Sequence, residues 1–189
     1  EDQSGQIASV GYSLYMDMLE QAVDALKAGK EPSLSDANRL HTEIELRIPA
    51  LLPEDYIADV NTRLSLYKQL ASCKNSDDIE AFQIECIDRF GLLPDAAKNL
   101  IAVAELKLKA RRVGIHKVEM TATGGTIEFN EDTPVDPGFI IQLVQTRNKM
   151  FKFEGSQKLR IVKKTETARE RLAMVDGLIE EFAREISQA

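Results

Sequence analysis

The chain has 189 residues, 43% of them hydrophobic and 29% charged, which places it among ordinary globular proteins, excludes disorder over most of its length, and allows one full core with an appendage. Its 24 basic and 31 acidic residues give a formal net charge of −7, which repels nucleic acid on average, so phosphate binding would need a local basic patch. Cys73 and Cys86 are the only cysteines; without a CxxC or histidines at ligand spacing they read as small apolar fillers, not as a disulfide scaffold or a zinc site.

No stretch has the basic start and apolar run of a signal peptide or the long apolar run of a membrane span. With Glu1 at its head, the sequence reads as a cytoplasmic piece of something larger. Residues 1–41 differ from the rest. EDQSGQIASVG is polar and glycine-interrupted; then Tyr15, Met18, Leu19, Ala22, Val23 and Leu26 form one helical stripe, and Gly29 can end that helix, over 12–29. KEPSLSDANRLH follows as a linker, so the helix reads as belonging to a preceding domain.

From Thr42, Ile44, Leu46 and Ile48 alternate with Glu43, Glu45 and Arg47, the period of a strand with one wet face. Pro53 is expected to open a helix through about Ser72, with Ile57, Val60, Leu64, Tyr67, Leu70 and Ala71 inward, and Ser76 to cap the next. That next helix puts Ile79, Phe82, Cys86, Ile87 and Phe90 on one face; Gly91 to Pro94 make a tight corner. The helix beyond carries two apolar rows, Ala97, Leu100, Ile101, Ala104 and Leu108, and Val103, Leu106, Ala110 and Val113, so it is expected to be a central strut covered on two sides.

HKVEMTATGGTIEFN predicts a hairpin turning at Gly124 and Gly125. Asp136 and Pro137 open a short helix with Phe139, Ile140, Leu143 and Val144 inward, and Gly155 and Ser156 turn a second hairpin. A last helix, from about Glu166 to Ile186, has Leu172, Val175, Ile179, Phe182 and Ile186 as its seam. Five short strands and at least five helices predict an α+β fold, helices packed on a small mostly antiparallel sheet, preceded by the N-terminal amphipathic helix and linker.

Chemistry-bearing patterns are few. GxxxxGK[ST], GxSxG and HExxH are absent, and His41 and His116 lie in or beside predicted loops with no recognisable partner. Gly124 and Gly125 join strands and do not open a helix, so they are not a phosphate loop. Asp77, Asp78 and Glu80 fall in a first helical turn, where the helix dipole accounts for them. Glu85, Asp88 and Arg89 lie off the apolar row, as either a solvated face or a polar docking surface. Basic residues gather at Lys107, Lys109, Arg111, Arg112 and Lys117, a patch with no interleaved exposed aromatics, and again between Lys149 and Lys164. A hydrolase would need a deep pocket around Glu85 and Asp88. The residues alone reach a non-catalytic α+β interaction or regulatory domain.

Three runs carry a resemblance that covers nearly the whole chain. EDQSGQIASVGYSLYMDMLEQAVDAL resembles the end of the second translocase lobe of the bacterial transcription-repair coupling factor family. TEIELRIPALLPEDYI with NTRLSLYKQLA, and then IDRFGLLPDAAKNL, resemble the start and middle of that family's C-terminal domain. The resemblance implies that residues 1–41 are the tail of the translocase domain with a linker, and 42–189 a regulatory domain.

It implies a parent that is an ATP-dependent DNA translocase of the helicase superfamily, a hydrolase using ATP and Mg, which contacts double-stranded DNA, removes stalled RNA polymerase and recruits UvrA for nucleotide excision repair. This fragment would bind no cofactor, touch no membrane and catalyse nothing. Its C-terminal domain would dock on the UvrA-binding module of the same chain and mask it. Gln3, in DQSGQ, matches the glutamine of the translocation motif; Glu85, Asp88 and Arg89 fall where the mask meets its partner. The alternative is an accessory nucleic-acid-binding module using the Lys107 to Lys117 patch.

Overall fold

The computed structural model describes residues 41–186, together with Val23, Leu26 and Gly29. Val23 and Leu26 are helical, and Gly29, at φ +72°, donates its amide to the Leu26 carbonyl at 3.1 Å, the turn expected of a glycine closing a helix. Gln3, the rest of the 12–29 helix, the linker and the division at residue 41 lie outside the described residues.

The elements run β1 (Glu43–Glu45), α1 (Val60–Ala71), α2 (Ser76–Phe90), α3 (Asp95–Arg112), β2 (Ile115–Met120), β3 (Gly124–Phe129), α4 (Pro137–Thr146), β4 (Phe151–Phe153), β5 (Lys158–Val162) and α5 (Ala168–Arg184). The sheet order is β1-β2-β3-β5-β4, with β1 parallel to β2 and every other pair antiparallel. The expected α+β class and mostly antiparallel sheet are therefore what the chain adopts. No helix of the described residues is long and apolar enough to cross a membrane.

Two cores share one helix. The first lies under the sheet, where Val118, Met120, Ile127, Phe129, Leu159, Ile161 and Phe151 meet Val175, Ile179 and Phe182 of α5. The second gathers Leu52 and Ile57 with Leu66 and Leu70 of α1 and Ile79, Phe82 and Cys86 of α2. On α3, Leu106, Ala110, Val113 and Val103 belong to the first, and Ala97, Ile101, Leu100, Ala104 and Leu108 to the second. Each apolar row of the strut therefore meets its own core, which is why a helix apolar on two sides is stable here.

Several local expectations are corrected. Pro53 does not open α1. Pro53 to Tyr56 form a turn whose Pro53 carbonyl accepts from the Tyr56 and Ile57 amides, and the helix starts only after Asp59, whose carboxylate accepts from the Thr62 amide at 2.8 Å. The later start goes with a different inward face: Leu66 is 1% exposed, while Val60 at 56%, Leu64 at 50% and Ala71 face solvent. Asn75, not Ser76, caps α2, its side chain accepting from Asp78. Pro94 stands at the cap of α3, one residue before its first turn.

Gly124 and Gly125 are the first residues of β3, and the turn falls on Thr121 to Thr123, closed by the Thr121 amide and hydroxyl on the Gly124 carbonyl. A Cβ on Gly124 would collide with the Ile161 carbonyl oxygen, and one on Gly125 with that of Glu119, so the glycines serve close strand contact. Ile186 is exposed beyond the end of α5 and pairs with Val135 in an isolated bridge instead of joining the seam.

Candidate docking face at the end of α2

The chemistry of the site begins with helix phase. Ile79, Phe82 and Cys86 commit one side of α2 to the second core, which turns Asp88 outward and Glu85 and Arg89 to a flank. Glu85 Oε2 accepts from Gln69 Nε2 of α1 at 2.9 Å, and its Oε1 lies 3.8 Å from Arg89 Nη1 one turn on. Arg89 also sits over the Phe90 ring, 4.8 Å from its centroid. Asp88 is exposed, with no hydrogen bond or ion pair among the described residues. The structure thus brings the three residues together on one exposed face, two of them oriented by neighbours and one open to a partner.

Beneath this face the backbone is fixed. Tyr56 Oη donates toward the Gly91 carbonyl at 2.8 Å and the Cys86 carbonyl at 3.1 Å, which ties the last turn of α2 and the following corner to the residue 53–56 turn. Its ring meets Phe90 edge-on at 5.9 Å. Burial, with the Cys86 thiol beside it, pushes the Tyr56 phenol above its ordinary value, so it stays a hydrogen-bond donor. Burial likewise pushes the Cys86 and Cys73 thiols up, away from reactive thiolate and in keeping with their reading as fillers. Tyr56 and Gln69 were missed by sequence reasoning. Gln69, three residues after Leu66 on a helix flank, carries no local signal at all.

The basic patch is divided. Lys109 Nζ bridges to Asp176 Oδ1 at 2.9 Å and Glu180 Oε1 at 3.0 Å on α5, and the Asp176 bond above all holds its ammonium above the ordinary lysine range. Lys117 points to the opposite face of the sheet from α3, because Val118, its neighbour in β2, fills the first core. There it stands in register between Glu43 and Glu128, pairs with Glu119 at 3.2 Å, and is held above its usual range by that pair first. Lys107 is half-buried and engaged; Arg111 and Arg112 are exposed at the end of α3. The five residues therefore form no continuous stripe that would follow a phosphate backbone.

Two open grooves lie elsewhere, beside residues 129–133, and neither is lined by Glu85 or Asp88. Among the described residues no three His, Cys, Asp or Glu side chains come together as a metal-binding group, and the sequence has no phosphate-cradling GxxxxGK[ST].

These features define a small helix-on-sheet domain with a charged helix face. Residues 46–140 match the TRCF domain family model. The chain is 45% identical over 188 residues, 100% of its length, to the transcription-repair-coupling factor of Escherichia coli (strain K12), and 43% identical over 182 residues, 96% of its length, to that of Haemophilus influenzae. It spans 16% of the length of each of these relatives. A solved crystal structure of the C-terminal domain of transcription-repair coupling factor superposes with a TM-score of 0.60 at 25% identity, covering 76% of this chain and 94% of that one. The chain belongs to the transcription-repair coupling factor family, and corresponds to its C-terminal region.

Proposed function

We propose that this domain is a regulatory mask. In a full-length cytoplasmic protein it docks through Glu85, Asp88 and Arg89 onto the UvrA-binding module of the same chain and keeps UvrA away until the motor engages stalled RNA polymerase. The rest of that protein supplies the ATP-dependent translocation on double-stranded DNA that removes the polymerase and hands the lesion to nucleotide excision repair. The observation that carries the reading is the exposed charged face of α2, held in place by Gln69 and Tyr56. A mask must come off, and modest polar docking separates more readily than a wide apolar interface. Division of the Lys107 to Lys117 patch between α5 partners and the far side of the sheet favours this reading over nucleic-acid binding.

Reversing both charges, Asp88→Lys with Arg89→Glu, should raise the affinity of the full-length protein for UvrA by about tenfold, since apparent affinity scales with the fraction of molecules already open. Unchanged UvrA affinity would sink the masking role.

A further inference from the structure

The second basic cluster, between Lys149 and Lys164, takes no part in the masking face. Residues 147–164 carry seven lysine and arginine side chains against one carboxylate, Glu154, in a chain whose formal net charge is −7. They include the β4–β5 hairpin. Phe151, Leu159 and Ile161 fill the first core, so by alternation along each strand Lys152, Arg160 and Val162 project from the other side of the sheet, where all three are exposed. The helices of the first core pack on the core side and leave this side open.

The charges of the open side are sorted. One row across the sheet runs Glu45, Glu119, Thr126, Arg160 and Lys152, acidic on β1 and β2 and basic on β5 and β4. Lys152 lies directly opposite Arg160, a like-charge pair that costs stability. Glu154 offsets that cost by accepting from Arg160 Nε at 3.1 Å, and Lys152 stays open. Lys149, Lys152, Lys163 and Lys164 are exposed, and among the described residues none has an ion pair or a side-chain hydrogen bond. In this they differ from Lys109 and Lys117, which carboxylates neutralise. A lysine on a sheet edge often serves to keep other strands away, which accounts for Lys152 on β4. It does not account for Lys163 and Lys164, which follow the inner strand β5, or for Lys149, one residue outside the 2.7 Å bond from the Val162 amide to the Met150 carbonyl.

We infer that the open side of the β4–β5 hairpin, with Lys152, Lys163, Lys164 and the adjacent Lys149, grips the phosphate backbone of double-stranded DNA without reading its sequence. From Arg160 to Lys164 the chain spans up to ~13 Å, enough to meet several phosphates of a duplex that carries a charge every ~1.7 Å. Unpaired bases would need aromatic side chains to stack on, and none projects from this side of β4 or β5: Phe151 is in the core, and Phe153 shares the core side with Leu159. The acidic half of the face repels phosphates and confines them to the hairpin. In choosing a duplex the inference rests on the proposed translocation along one; the mask uses α2, which belongs to the other core.

The test is fluorescence anisotropy of a labelled, mixed-sequence DNA duplex with the 189-residue chain. Between ~50 and ~200 mM salt the affinity should fall about a hundredfold, as expected for four phosphate contacts, and only about tenfold for Lys163→Gln with Lys164→Gln. Arg111→Gln with Arg112→Gln makes the same change of net charge at the end of α3 and should leave binding as it was; equal weakening by both pairs would overturn the site. If the double change alters thermal unfolding, Lys164→Gln alone should lower the salt slope by about one. No binding to the duplex at low salt overturns the grip and leaves the translocation and masking readings standing, since neither needs this surface. Tighter binding of single-stranded oligothymidylate than of the duplex, or sedimentation of the chain as a dimer that salt dissociates, would assign the surface to another occupant and overturn the inference.

Discussion

Arg171 shows how much a single side chain can organise. Buried in α5, its guanidinium donates to the Leu46 carbonyl at 2.7 Å, the Arg47 carbonyl at 3.2 Å and Thr165 Oγ1 at 3.0 Å, with no carboxylate among these acceptors. The group keeps its charge satisfied by backbone oxygens and ties the chain leaving β1, where Arg47 takes φ +54°, to the start of α5. Replacing it by methionine keeps the stem and strands buried carbonyls, so Arg171→Met should destabilise by about 3 kcal/mol. A lower urea midpoint at unchanged slope is the expected outcome. The residue was legible in principle, because it stands at i, i+4, i+7 and i+11 with Val175, Leu178 and Phe182, an arginine on an apolar row.

At the scale of elements, α3 and α5 are joined by Lys109 with Asp176 and Glu180. Hydrogen bonding to Asp176 raises the Lys109 value above its ordinary 10.5 in the folded chain, so the contribution is complete below 10.5 and disappears as pH rises through the folded value. The side chain is partly solvated, and Lys109→Met should cost less than about 1 kcal/mol at neutral pH. Denaturation on either side of pH 10.5 should show the native chain losing more stability to alkali than the methionine variant.

Element phases were read unevenly from sequence. The row Ile79, Phe82, Cys86 on α2 and both rows on α3 were correct, because long periodic segments fix their own buried face. The face of α1 was read only in part. Ile57, Tyr67 and Leu70 do turn to the second core, but Leu66 was overlooked and Val60, Leu64 and Ala71 face solvent, because packing against α2 and α3 chooses between two overlapping stripes.

For the whole molecule, the consequence of two cores on one helix is coupling. A proline at Ala102 lies where α3 passes between them, and it removes a helix hydrogen bond and clashes with the preceding turn, at a cost of about 3 kcal/mol or more. Ala102→Pro should therefore reduce protection of amides in β2 and β3 together with those in α1 and α2, measured by hydrogen exchange. Loss confined to one side would show that the cores are independent.

The α+β class, the Gly91 corner, the Asp136 and Pro137 helix start, and the strut with its two faces were legible in the chain alone, since each is signalled by periodicity or turn residues within a short stretch. Glu85, Asp88 and Arg89 were legible as off-row charges for the same reason. Tertiary structure alone decided that Gly124 and Gly125 belong in a strand, because the carbonyls of Ile161 and Glu119 leave no space for a Cβ. It alone separated Lys117 from Lys109, by placing a sheet between them. Local periodicity specifies which way a side chain points along its own element; which surface it then meets depends on residues tens of positions away.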